Sequence, residues 1–156
     1  ARAALAAAGY EHYEISNFAQ PGREARHNCG YWRGVDYLGI GAGAHSYAAT
    51  PAFGARWSNE RLPDRYVAGV SRGAAVASRE TLSFETAASE FMFLGLRELR
   101  GIDCAAFAAR FGAALETVHP EVEGFCREGI LVERDGRLAL SERGLLVADS
   151  VFSSFL

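Results

Sequence analysis

The sequence has no lysine: all sixteen of its basic residues are arginine. That removes both a Schiff-base amine and the lysine of a phosphate-binding P-loop. Its three cysteines, Cys29, Cys104 and Cys126, form no C-x-x-C pair, which argues against a zinc knuckle and against a disulfide framework. A reducing, cytoplasmic setting is the expectation. No apolar run reaches the roughly 18 to 20 residues that span a bilayer, because Arg, Glu, Asp or Gly interrupts each candidate, so no transmembrane segment is expected. A methionine start and a basic-then-apolar leader are missing too, and Ala1-Arg2-Ala3-Ala4-Leu5 reads as the opening of a fragment or a processed chain.

What is present is ordinary globular material: 156 residues, 49% hydrophobic and 22% charged, with 17 glycines and a net charge of −3. Such a chain can bury a sizeable core as one domain or two small ones. Charge is uneven. Residues 1–79 carry nine Arg against six acids, a balance of +3, and residues 80–156 carry seven Arg against thirteen acids, a balance of −6. The change of sign suggests two units with different partners.

Arg2 to Ala8 reads as a helix stopped by Gly9. Tyr10 to Phe18 reads as one strand ending at the Gln20-Pro21-Gly22 turn, and Tyr37 to Gly41 as a second strand entering a glycine-rich loop. Residues 49–79 read as a connector with one helix from Pro63 to Val70. Beyond it, Ser83 caps an amphipathic helix bearing Phe84, Ala87, Ala88, Phe91, Met92, Leu94, Gly95 and Leu99 at helical spacing. A second helix begins at Asp103 and carries Phe107 and Phe111; a third runs from Pro120 to Gly129. Asp135-Gly136 sets a hairpin, and Ser141 caps a last helix with Leu145, Leu146, Val147, Val151, Phe152 and Phe155. Three helices, a hairpin and a closing helix make a winged-helix-like module.

A winged helix invites a DNA-binding reading. The charges oppose it, since the third helix region carries Glu116, Glu121, Glu123 and Glu128 against Arg127, and acids facing phosphates weaken binding. No nucleic-acid partner is expected. Gly39-Ile40-Gly41-Ala42-Gly43-Ala44 matches the dinucleotide fingerprint in form, but Pro51 and Gly54 forbid the long helix that must follow. Gly41 and Gly43 are instead expected to let a ligand or a neighbouring backbone approach closely.

The densest polar and aromatic cluster is Arg23, Arg26, His27, Asn28, Cys29, Tyr31, Trp32 and Arg33. On a structural reading, Tyr31 and Trp32 anchor a long loop and His27 satisfies a backbone carbonyl. On a functional reading, His27 offers a nitrogen to a metal, Tyr31 and Trp32 supply flat walls, and Arg23, Arg26 or Arg33 pairs with the carboxylates of an anionic ligand. A haem or related porphyrin has all three needs. His45 is a second candidate ligand or donor, whereas His12 and His119 have no supporting context.

Three segments carry a family resemblance: Tyr13-Glu14-Ile15-Ser16-Asn17-Phe18-Ala19; His27-Asn28-x-x-Tyr31-Trp32; and Tyr37-x-Gly39-Ile40-Gly41-Ala42-Gly43-Ala44-His45-Ser46. They resemble the carboxyl-terminal half of the HemW family, radical-SAM haem chaperones similar to oxygen-independent coproporphyrinogen III oxidases. The H-N-x-x-Y-W signature separates HemW from the true oxidase HemN. Glu90-x-x-x-Leu94-Gly95-Leu96-Arg97 with Gly101-Ile102-Asp103 resembles the opening of the family's carboxyl-terminal domain.

The resemblance implies an α/β plus α+β fold. Residues 1–48 would be the last strands of a partial (β/α) radical-SAM barrel, 49–79 a connector and 80–156 a winged-helix-like HemN-type domain. It also implies haem as ligand, haem-acceptor proteins as partners, and peripheral contact with membrane haem proteins. Candidate haem contacts are Arg26, His27, Asn28, Tyr31, Trp32, Gly41, Gly43 and His45, with His27 the candidate iron ligand. The family's C-x-x-x-C-x-x-C motif, which holds a 4Fe-4S cluster for S-adenosylmethionine, is absent, the three cysteines lying 75 and 22 residues apart. The chain alone is therefore expected to be inactive in radical chemistry, with the cluster ligands upstream in the longer protein. The alternative is part of a coproporphyrinogen III oxidase of porphyrin biosynthesis.

Overall fold

The computed structural model describes residues 2–156. By contact the chain forms two compact units: residues up to Arg33 together with Ala88–Leu156, and Gly34–Ala87. These breaks run along different lines from the boundaries read in the sequence at 48 and 79.

In the first unit, α1 (Arg2–Ala7) is followed by Gly9 at φ 80°, as the glycine stop requires. The single strand expected over Tyr10–Phe18 is instead a hairpin, β1 (Glu11–Glu14) with β2 (Asn17–Ala19). It turns at Ile15-Ser16 because the Ser16 N–H donates to Glu14 Oε1 at 3.1 Å, and the His12 ring stacks on Phe18 at 4.2 Å across the pair. The hairpin also bonds to a later stretch of the chain: the Ile15 N–H donates to the Arg97 carbonyl and the Leu99 N–H to the Tyr13 carbonyl, both at 3.0 Å. Glu14 thereby lies opposite Glu98, and both are buried. The expected long loop of the polar cluster is a helix, α2 (Arg26–Trp32).

The second unit holds the sheet that sequence patterning missed. Its strands β3 (His45–Ala48), β4 (Ala55–Asn59) and β5 (Val76–Thr81) pair antiparallel in the order β3-β4-β5, with α3 (Pro63–Val70) between the last two. The stretch read as a connector thus supplies most of a sheet, while its helix has the expected bounds. The strand expected at Tyr37–Gly41 is reduced to one bridge, Tyr37 to Tyr47. Glycines at 39, 41 and 43 weaken a ladder there, and His45 and Ser46, expected in the loop, lie in β3, where they pair with Ser58 and Trp57.

The last part of the chain builds the expected module with smaller pieces. Helix α4 (Phe84–Gly95) starts at Ser83, whose Oγ accepts the Thr86 N–H at 3.1 Å, and it ends before Leu99. After the short strand β6 (Ile102–Asp103), Asp103 caps α5 (Cys104–Phe111) by accepting the Ala106 N–H at 2.9 Å. A separate short helix, α6 (Leu115–Val118), carries Glu116 and precedes the expected third helix, α7 (Glu121–Arg127), so Glu116 is not on the same helix as Glu121 and Glu123. Strands β7 (Leu131–Arg134) and β8 (Arg137–Leu140) form the hairpin, with Asp135 at φ 52° and Gly136 at φ 72° as its two-residue turn demands. The closing helix divides into a 3-10 turn (Gly144–Val147) and α8 (Ala148–Ser153), which leaves Leu146 81% exposed rather than on the core face.

Met92, Leu96, Phe107, Leu115, Leu131, Leu138 and Val151 are fully buried and form the core of this part. Phe91 meets Phe107 and Phe111 edge-on at 5.5 and 5.7 Å, pairs that each add about 0.5–1.5 kcal/mol to burial. His119, without context in sequence, is a core residue whose ring lies 6.0 Å from Phe107 and 5.4 Å from Phe155.

Candidate functional site

Helix α2 gives the polar cluster its geometry. Positions four apart share a helix face, so the His27 and Tyr31 rings meet at 4.6 Å in an edge-on contact. His27 is exposed, and neither ring nitrogen has a hydrogen-bond partner among the described residues. The backbone carbonyl that the structural reading assigned to it is not there. Arg26 is exposed beside it, and Asn28 and Tyr31 are half-buried.

Arg33, just past the helix, is not available to a ligand carboxylate. It binds Glu98, with Nη2 at 2.6 Å from Oε1 and Nε at 3.1 Å from both carboxylate oxygens. Arg100 completes that carboxylate from the other side at 3.1 Å. Hydrogen bonding to Glu98 raises the Arg33 pKa above its already high ordinary value. Of the three arginines read as candidate carboxylate partners, Arg23 and Arg26 remain.

Trp32 is engaged differently. The Arg97 guanidinium carbon lies 4.9 Å from its ring centroid, so one indole face is covered by protein. Nothing in the spacing of the sequence links these two residues, which are 65 positions apart.

Gly41, Gly43 and His45 belong to the other unit. Gly41 lies at φ 109° and Gly43 at φ 69°, conformations that side chains resist. Close backbone approach occurs instead at Gly39, where a Cβ would overlap the His45 carbonyl oxygen. The loop is fixed by Asn59 Nδ2, donating to the Gly39 and Gly41 carbonyls at 3.2 and 3.0 Å, and by the Gly39 N–H donating to Ser46 Oγ at 2.9 Å. Asn59 and Ser46 are sequence-distant anchors that reading by motif missed. The loop holds Leu38 and Ile40 outward, 71% and 84% exposed. A cleft of about 400 Å³ lined by Glu60, Asp64, Arg65, Ala68, Arg72 and Ala74 contains none of the expected site residues.

The cysteines do not fit an iron–sulfur cluster. Each is free, burial raises each thiol's pKa, and among the described residues no three His, Cys, Asp or Glu side chains gather to hold a metal. Cluster ligands need thiolates that converge. No helix among the described residues is long and apolar enough to cross a membrane.

Comparison with known proteins agrees with this architecture. Residues 82–147 match the HemN C-terminal domain model. The chain is 33% identical to heme chaperone HemW of Bacillus subtilis over 97% of its length and 40% of that protein. With heme chaperone HemW of Mycobacterium tuberculosis it shares 38% identity, over 99% of this chain and 37% of the relative. The fold matches coproporphyrinogen III oxidase HemN from Escherichia coli, a radical SAM enzyme, with a TM-score of 0.71 over 98% of this chain and 38% of that one, at 16% identity. The chain thus spans about two fifths of the length of the curated relatives it matches. Residues 82–147 thus match the HemN C-terminal domain, and over nearly its whole length the chain is similar in sequence to the HemW haem chaperones.

Proposed function

We propose that this chain is the haem-holding part of a haem chaperone, a protein that binds haem and passes it to acceptor proteins. The observation that carries the reading is His27, an exposed imidazole braced by Tyr31 on α2 and left without a hydrogen-bond partner among the described residues. A neutral imidazole in that state keeps a nitrogen lone pair for a metal. Haem, when bound, supplies an iron that accepts such a nitrogen and two carboxylates that accept cations. Tyr31 steadies the imidazole, Arg26 stands one residue away as a carboxylate partner, and Asn28 and Trp32 flank the same helix.

The name carried by the relatives supports the chaperone reading over an oxidase, because the likeness to HemN rests on fold at 16% identity. In the longer protein, residues 1–48 would belong to a radical-SAM barrel and residues 80–156 form the HemN-type domain, with the 4Fe-4S cluster and S-adenosylmethionine held by residues outside this chain. Three free thiols fit a cytoplasmic setting, and delivery to membrane haem proteins needs only peripheral contact.

The test is a haem titration of the full-length protein. His27→Ala should weaken binding and change the Soret band, while His45→Ala should leave the iron's spectrum as it was. Unaltered binding and spectrum in His27→Ala would overturn the assignment and move the ligand to His45 or Cys29.

A further inference from the structure

The cation beside Trp32 is placed for recognition. Arg33 and Arg100 are both committed to Glu98. Arg97, the residue before that glutamate, has no carboxylate partner among the described residues. What surrounds its guanidinium is aromatic: the Trp32, Phe93 and Phe152 rings, at 4.9, 5.0 and 5.0 Å from its central carbon. Arg97 Nε is buried with no hydrogen-bond partner, and so is the indole nitrogen of Trp32. Arg97 and Trp32 are nevertheless each only half-buried as residues.

This arrangement has a physical meaning. Ring faces attract a cation through their quadrupoles and fix the plane of a guanidinium without consuming its N–H donors, which point outward in that plane. Buried donors are almost always satisfied, and leaving them unpaired is costly. Here two unpaired donors sit in one cluster, one of them on a positive charge. The complement to a fixed, planar, cationic fork is a planar anion with two oxygens. Glu98 cannot turn to serve it, since Arg33 and Arg100 already occupy both of its oxygens.

We propose that Arg97, in its setting of Trp32, Phe93 and Phe152, is a carboxylate-binding site, and that its ligand is a propionate of the haem held on α2. The proposal rests on the haem-binding reading above. It assigns to Arg97 the role that sequence reading gave to Arg33. Trp32 follows Tyr31 by roughly 100° around the helix, so Arg97 lies to one side of the face that carries His27 and Tyr31.

The experiment compares haem with its dimethyl ester, which lacks both charges, in the full-length protein and in Arg97→Gln and Arg97→Lys. The unmodified protein should bind the ester about tenfold to a hundredfold more weakly than haem. In Arg97→Gln that ratio should fall by about tenfold, with the Soret band of bound haem unchanged; Arg97→Lys should fall between. A variant that merely packs poorly would lose affinity for both ligands and keep the ratio. An unchanged ratio in Arg97→Gln, or an unmodified protein indifferent to the ester, overturns the carboxylate site while haem binding through His27 stands. An unmodified protein that binds neither ligand overturns both.

Discussion

Arg33 grips Glu98 through Nη2 and Nε together, closing to 2.6 Å on Oε1, while Arg100 reaches only Oε2, at 3.1 Å. The Glu98 side chain is 6% exposed and its two partners are 45% and 53% exposed. Removing the glutamate therefore frees two guanidinia that can re-enter water, whereas removing one arginine leaves the other to neutralise a buried carboxylate. Arg33→Gln should destabilise by about 1–2 kcal/mol and Arg100→Gln by under about 1 kcal/mol, since the forked pair makes the stronger bonds. Urea melts of the two variants check the order. Haem affinity should not change in Arg33→Gln, because that guanidinium is already in use.

The parts of the fold legible in the sequence are those fixed by short-range chemistry. Ser83 and Asp103 cap their helices as read, Pro63 opens α3, and Asp135-Gly136 turns the β7-β8 hairpin. The β1-β2 hairpin was not legible, because its turn at Ile15-Ser16 contains no glycine or proline and is held by a side-chain bond from Glu14. The sheet of β3, β4 and β5 was hidden for another reason: β5 is exposed along its length and shows no inward alternation. Within the candidate site, the motif singled out the segment that forms α2, but which arginine is free depends on Glu98 and Trp32 meeting residues some 65 positions away. No local pattern encodes that.

Gly39 bears the tightest constraint in the glycine-rich loop. A Cβ there would overlap the His45 carbonyl oxygen, while one at Gly41 meets nothing within 4 Å. Gly39→Ala must push the loop off β3, breaking the Asn59 and Ser46 hydrogen bonds that fix it. Limited proteolysis should then cut within residues 34–43 far faster than in the unmodified protein. Gly41→Ala, strained only by its φ of 109°, should cost about 1 kcal/mol and leave the cleavage pattern nearly unchanged. Equal protection in Gly39→Ala would show that the loop is not held as described.

The three thiols predict how stability depends on pH. Burial raises Cys29, Cys104 and Cys126 above their ordinary value, and for Cys29 the Glu98 carboxylate adds to burial. In the unfolded chain a thiol loses its proton near pH ~8.5, while in the folded protein it keeps it. Above that pH the unfolded state binds fewer protons, so the stability present at neutral pH is lost as pH rises toward the folded pKa. Denaturation in reducing buffer should show unfolding free energy level from pH 7 to about 8, then falling. Cys29→Ala should lower stability by a constant amount through lost packing and make the alkaline fall shallower. A slope identical in both proteins would mean that the Cys29 thiol titrates in the folded state as it does in the unfolded one.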